Sequence, residues 1–276
     1  MDLRQMWLAA KPYAPSGIVP MLRAYYRLHM RMRCWYEGLW DGRAARRTGS
    51  ACLPPAALRY RVHGSPGADG FLRTGRTCRE DVEAAVGRVG MEIGYLDRIL
   101  DFGCGCGRTL LWFADTAREG QFHGTDIDGE AIAWCRERLD FARFSVNGAE
   151  PTLDYPDETF DLVYAVSVFT QLDEGHQFQW LGELRRVVRR GGLVLVTVHG
   201  AHCWQTLEPE AQAEVRERGF LFRRTDQMKG IFPDWYQTAY HTKEYVLDRF
   251  AEYYEILDYT PRGLVDFQDM VVLRRT

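Results

Sequence analysis

Ile99-Leu100-Asp101-Phe102-Gly103-Cys104-Gly105-Cys106-Gly107-Arg108 places a short apolar run directly before three glycines at alternate positions. The run predicts a buried strand, and the glycines predict a tight turn out of it, because glycine tolerates positive φ and leaves no Cβ where a ligand must meet backbone. The next apolar stretch closes on Gly124-Thr125-Asp126-Ile127-Asp128. A carboxylate at that second strand end can accept hydrogen bonds from both hydroxyls of a ribose. Asp126 is the first choice for that role. Asp128, directly before a helical stretch, suits a helix N-cap better.

Outward from this unit, short apolar runs alternate with amphipathic segments, the pattern of parallel strands joined by helices. Strands are expected at 98–102, 121–126, 142–146, 160–166, 193–198, 254–259 and 268–274. Helices are expected at 108–118, 129–139, 174–188 and 209–218, with another over 77–90 just ahead of the core. The last two strands leave no room for a helix between them, so an antiparallel edge hairpin is predicted. The fold class is therefore α/β, a Rossmann-like, mostly parallel sheet flanked by helices.

Two features separate a sulfonium cofactor from a dinucleotide. The third glycine of the dinucleotide fingerprint is displaced, and Asp101 would repel a pyrophosphate while favouring an ammonium. Together with Phe160-Asp161-Leu162-Val163-Tyr164-Ala165-Val166 and the run from Leu184 through Gly191-Gly192 into Leu193-Val194-Leu195-Val196, the chain resembles the class I S-adenosylmethionine-dependent methyltransferases. The resemblance runs from Asp97 to the C-terminus. It implies a seven-stranded sheet and S-adenosyl-L-methionine as cofactor, held by Asp101, Gly103, Cys104, Gly105, Gly107, Arg108, Asp126 and Ile127. It further implies Asn147 and Gly148 near the adenine and Ala165 near the methionine part. Arg76 is a candidate for the cofactor carboxylate, with an ordinary surface arginine as the alternative.

Methyl transfer asks little of a protein beyond alignment, exclusion of water and a route for the acceptor's proton. For a hydroxyl acceptor the candidate bases are His199, at the end of the fifth strand, and His241, with His202 third; the more ordinary reading of each is a structural or surface histidine. Trp235 and Tyr236, within an aromatic insertion at 220–243, are candidate acceptor contacts or plain packing residues. Cys104 and Cys106 read as small residues in a tight turn, and His199, His202 and Cys203 lack a fourth ligand, so no metal is expected. The stretch after the fourth strand lacks both the acidic ligands of magnesium-dependent relatives and the Asp/Asn-Pro-Pro-aromatic run of base-modifying ones. A small-molecule acceptor is expected, a natural product, saccharide or lipid-linked intermediate, at oxygen before nitrogen. Aminopropyl transfer from a decarboxylated cofactor is the same-fold alternative, and a non-catalytic binding module is the other.

The 276 residues, 46% hydrophobic and 26% charged, divide by this reading into an N-terminal helical cap, 1–95, and a core domain, 96–276. Within the cap, Met21 to Leu39 mixes aromatic and apolar residues with Arg23, Arg27, Arg31 and Arg33, a helix suited to packing over the domain or to peripheral membrane contact. A net charge of -3 gives no global field for a nucleic-acid partner. Seven cysteines, without paired spacing, read as reduced thiols in a cytoplasm, and no apolar run is long enough to span a bilayer.

Overall fold

The computed structural model describes residues 19–41, 52–224 and 237–276. Helices α1 (Val19–Gly38), α2 (Ala56–His63) and α3 (Ala68–Arg88) precede the core. Then follow β1 (Ile99–Phe102), β2 (Phe122–Asp126), α4 (Gly129–Arg138), β3 (Ala142–Val146), β4 (Phe160–Ala165), α5 (Glu174–Val187) and β5 (Val188–Val198). The chain continues through α6 (Ala201–Trp204), α7 (Pro209–Arg218), β6 (Phe220–Arg223), β7 (Thr238–His241), α8 (Lys243–Arg249), β8 (Glu255–Leu264) and β9 (Gln268–Arg274).

Seven strands form one sheet in the order β3-β2-β1-β4-β5-β9-β8. The first five run parallel, and β9 and β8 complete the edge antiparallel. Strand periodicity sends alternate side chains to opposite faces. Ile99, Leu162, Tyr164, Leu193, Leu195 and Val272 pack on one face against Val82 and Val86 of α3 and Ile132 of α4. Leu100, Val163, Ala165, Val194, Val196 and Leu273 pack on the other against Trp180, Leu181 and Leu184 of α5 and Val246 of α8. Both faces are covered, which explains strands that read as unbroken apolar runs. The order reverses at β1 and β4, and in open sheets of this kind the ligand crevice lies beyond the strand ends at that switch point.

Two expectations need correction. Residues 108–118 form no α-helix: turns lead into a single 3-10 segment, Leu110–Phe113. Its Leu110 and Phe113 are fully buried, and its start is pressed on α3, where a Cβ on Gly75 would overlap the Arg108 carbonyl. Tertiary packing here overrides helix propensity. Conversely, the helix expected from residue 77 already begins at Ala68, since Gly70 and Gly75 supply the close approach to His63 and Arg108. The aromatic insertion begins and ends as a two-stranded antiparallel ribbon, with Phe220 paired to His241 and Arg223 to Thr238.

Candidate active site

Above β1, Gly103 and Cys104 both donate backbone N–H bonds to the Thr125 carbonyl, at 2.8 and 3.0 Å, which pins the glycine loop to the end of β2. Gly103 and Gly105 have φ of +79° and +54°, the left-handed region that glycine occupies without penalty. A Cβ on Gly103 would overlap a Val168 methyl, and one on Gly105 would lie 2.6 Å from Val62 Cγ2. Val168, beyond β4, and Val62, from α2, therefore sit close over the loop.

Two carboxylates meet beside it. Asp101 is buried, and burial, followed by the Asp126 charge, lifts its pKa to about 8 against opposing effects of the Tyr164 hydroxyl and Arg108. The Asp126 carboxyl is also raised by burial, opposed by backbone bonds: Oδ1 accepts from Asp128 N at 2.8 Å and Oδ2 from Gly105 N at 2.7 Å. Asp128 caps α4, accepting from Glu130 N and Ala131 N, and pairs with Arg61 at 3.0 Å. Arg61 also pairs with Glu130 at 2.6 Å, so its charge is satisfied outside the loop. Asn147 Oδ1 accepts from Thr125 Oγ1 at 2.9 Å while its Nδ2 donates to the Gly148 carbonyl.

These groups line one end of a cavity of about 870 Å³, within the range of small-molecule sites. Asp101, Gly103, Cys104, Gly105, Arg108, Asp126, Ile127, Asn147 and Gly148 all reach it. Gly107 and Ala165 do not line it, and Ala165 is sealed in the core beneath α5. Arg76 is withdrawn too: its guanidinium lies 4.4 Å over the Trp112 ring. The loop end presents the Asp101 and Asp126 carboxylates beside Arg108, while the N–H groups of Gly103, Cys104 and Gly105 are spent on Thr125 and Asp126. That donor set fits a cationic amino-acid sulfonium with a ribose, and disfavours a pyrophosphate.

The other end is lined by Ser167, Val168, Gln171, Asp173, His176, His199, Tyr240 and Phe267. Ser167 holds φ at +62°, its N–H donated to Thr197 Oγ1 and its hydroxyl in contact with Gln268. His199 lines the cavity; its Nδ1 meets the Ala239 carbonyl at 3.1 Å and must carry the proton there, leaving Nε2 as an acceptor. Burial lowers its pKa to about 4.

His241 must be corrected as a candidate base. It is fully buried outside the cavity wall, with Nε2 2.9 Å from Gln177 Oε1. Gln177 spends its amide hydrogens on the Phe169 and Leu172 carbonyls, so His241 is the donor in that bond. It ties β7 to the first turn of α5. Trp235 and Tyr236 lie outside the described residues.

One pair in the cavity wall escaped the sequence reading. Asp173 is the N-cap of α5, accepting from His176 N at 3.0 Å, and His176 Nδ1 lies 2.9 Å from both Asp173 oxygens. Burial raises the Asp173 carboxyl, but the bonds from His176 and the charge of Arg224 outweigh it and the net pKa is lowered. The pair orients the ring and leaves Nε2 as its remaining nitrogen. An Asp three residues before a His at a helix start was a legible signal. Among the described residues, no three His, Cys, Asp or Glu side chains converge as metal ligands.

Residues 99–192 match the family model for a methyltransferase domain. A fatty-acid O-methyltransferase of Mycolicibacterium smegmatis is 34% identical over 104 residues, 36% of either chain. A phosphatidylethanolamine N-methyltransferase of Cereibacter sphaeroides is 31% identical over 114 residues, 38% of this chain and 51% of the relative. The chain thus spans about a third to a half of the length of these relatives. In fold, the chain is similar to an S-adenosylmethionine-dependent methyltransferase from Mesorhizobium loti, with a TM-score of 0.53, 16% identity, and coverage of 70% of this chain and 96% of the other.

Proposed function

We propose that this chain, which carries a class I S-adenosylmethionine-dependent methyltransferase domain, methylates a small apolar or lipid-linked acceptor at oxygen. One observation carries the reading: a single cavity joins the carboxylate-rich glycine loop to a wall with an oriented histidine and aromatic rings. S-adenosylmethionine supplies an already activated methyl group. The protein's own work is to bind, orient and dry the two partners and to accept one proton.

Asp126 holds the ribose and Asp101 the ammonium; Asn147 and Gly148 bound the adenine side. At the acceptor end, Phe267 and Tyr240 supply apolar surface, and the Asp173-His176 pair takes the acceptor proton at His176 Nε2. His199 is less suited, because burial holds its imidazole at a pKa of about 4, far below the operating pH of a general base. Helix α2 acts as a cap, contributing Arg61, Val62 and His63 to the cavity. The fatty-acid and phospholipid methyltransferases among the relatives favour a lipid-like acceptor. Seven cysteines outside disulfides favour the cytoplasm as compartment.

The test is mass spectrometry after incubating the protein with methyl-deuterated cofactor and separate panels of fatty acids, phospholipids and saccharides. Gain of one labelled methyl at oxygen on one class is expected. Methylation at nitrogen overturns the atom assignment, and no product despite measured S-adenosylhomocysteine binding overturns the acceptor class.

A further inference from the structure

Helix α1 presents apolar residues on two opposite faces. Tyr26 and Met30 are buried, packed with Tyr60 of α2, and Cys34 is partly buried beside them. On the far side Met21, Tyr25, Leu28, Met32, Trp35, Tyr36 and Leu39 recur every three to four residues, the spacing that aligns side chains along one helix face. All are exposed: Met21 67%, Leu28 58% and Trp35 69% of their full surface. Single exposed apolar residues are ordinary, but a continuous row of this length on one helix marks a contact surface.

The charges say what contacts it. Arg27 and Arg31 are exposed and flank the row along one side. The two acids of this stretch, Glu37 and Asp41, fall by helical spacing on the side turned toward α2, where Asp41 is paired with Arg59 at 2.7 Å. A cationic border along one side of an apolar face bearing Trp, Tyr, Met and Leu matches an anionic lipid surface, with aromatic rings at headgroup depth and arginines among phosphates. The same arginines would repel those of a second copy laid face to face. They form a local basic patch on a chain whose net charge is -3.

We propose that α1 docks this chain peripherally on an anionic membrane, its Met21-to-Leu39 row dipping into the headgroup boundary. No spanning segment is involved: among the described residues no helix is long and apolar enough to cross a bilayer. Docking has a spatial consequence. α1 packs on α2, and Arg61 to His63 at the end of α2 line the cavity, so the membrane would lie on the side from which α2 covers the site. The proposal rests on the surface of α1 and stands whether or not the methyl-transfer reading holds.

The test is cosedimentation of the full chain with sucrose-loaded vesicles, phosphatidylglycerol mixed with phosphatidylcholine against phosphatidylcholine alone. Binding to the anionic vesicles that weakens with added salt is expected, with a loss of roughly tenfold or more for Leu28→Glu/Trp35→Glu and for Arg27→Glu/Arg31→Glu. These side chains face solvent, so unfolding temperature and S-adenosylhomocysteine affinity serve as controls on folding. The salt titration of the unaltered protein needs no variant. Absence of vesicle binding, or binding that neither salt nor the substitutions weaken, overturns the proposal. So does a concentration-dependent dimer in sedimentation that Leu28→Glu/Trp35→Glu dissolves, since the face would then belong to a second copy.

Discussion

Asp101 and Tyr164 are register partners on the adjacent parallel strands β1 and β4, and both are buried at the floor of the cofactor end. The Tyr164 hydroxyl influences the Asp101 carboxyl without reaching good hydrogen-bond geometry and is left without a partner, while the carboxyl borders the cavity. Burial raises both pKa values, that of Asp101 to about 8. A carboxyl held this way is neutral at pH 7 until a cation arrives, which has consequences for stability and for binding.

For stability, the folded pKa of about 8 lies above the unfolded value near 3.9, so the native state holds the extra proton between those limits. The contribution of Asp101 is fully present below about pH 4 and is lost as pH rises through about 8. Asp101→Asn cannot titrate. Relative to the unaltered protein, this variant should gain stability on moving from pH 5 to pH 8, on the order of a few kcal/mol. Urea unfolding of both proteins at the two pH values measures this; parallel pH dependences would remove the buried carboxyl from the account.

For binding, an ammonium placed beside Asp101 lowers its pKa again, so ligand uptake near neutrality should release a proton. S-adenosylhomocysteine affinity is expected to rise between pH 6 and 8, by at most tenfold per unit, and to flatten in Asp101→Asn. Calorimetry in two buffers of different ionisation enthalpy reads the proton directly. Asp126→Ala, by contrast, should reduce affinity at every pH by at least tenfold, since it removes two acceptor oxygens rather than a titration.

Gly103 and Gly75 are both close-contact glycines, but their neighbours differ. At Gly103 the obstacle is a Val168 methyl together with a φ of +79°; at Gly75 it is the Arg108 carbonyl, part of the backbone. Gly103→Ala should cost about 1–3 kcal/mol and weaken cofactor binding, with partial recovery on adding Val168→Ala, which removes the overlap but leaves the φ strain. Gly75→Ala should destabilise the α3 contact with no single side-chain rescue. Thermal unfolding of the three proteins separates the cases, and full recovery in the double variant would mean that φ strain contributes nothing.

These positions also show where the sequence was readable. The central strands were legible because they are covered on both faces and must be largely apolar, as Leu162 to Ala165 are. The loop was legible because only glycine satisfies its φ angles, and Asp128 announced itself as a cap. The 3-10 segment after the loop was not, since the contact of Arg108 with Gly75 is a relation between residues far apart in sequence. The histidines show the same limit. Sequence position put His199 and His241 on an equal footing, yet the bond to Gln177 draws His241 into the interior while His199 reaches the cavity. Which nitrogen faces a ligand is decided by partners contributed from other elements.

His176 is where that reasoning is most exposed to experiment. Its Nδ1 is engaged by Asp173 and its Nε2 is the proton acceptor of the proposed reaction. Once an acceptor is known, His176→Ala should lower kcat by roughly a hundredfold, with cofactor affinity unchanged. Asp173→Asn isolates the charge, because asparagine still caps α5 well; it should lower kcat with little change in unfolding temperature. Asp173→Ala should in addition cost about 0.5–2 kcal/mol through loss of the cap. His199→Gln is the control: burial holds its imidazole at a pKa of about 4, a poor base, so kcat should fall far less than in His176→Ala. If kcat is kept in His176→Ala and lost in His199→Gln, the proton goes to His199, and Asp173-His176 is a helix cap alone.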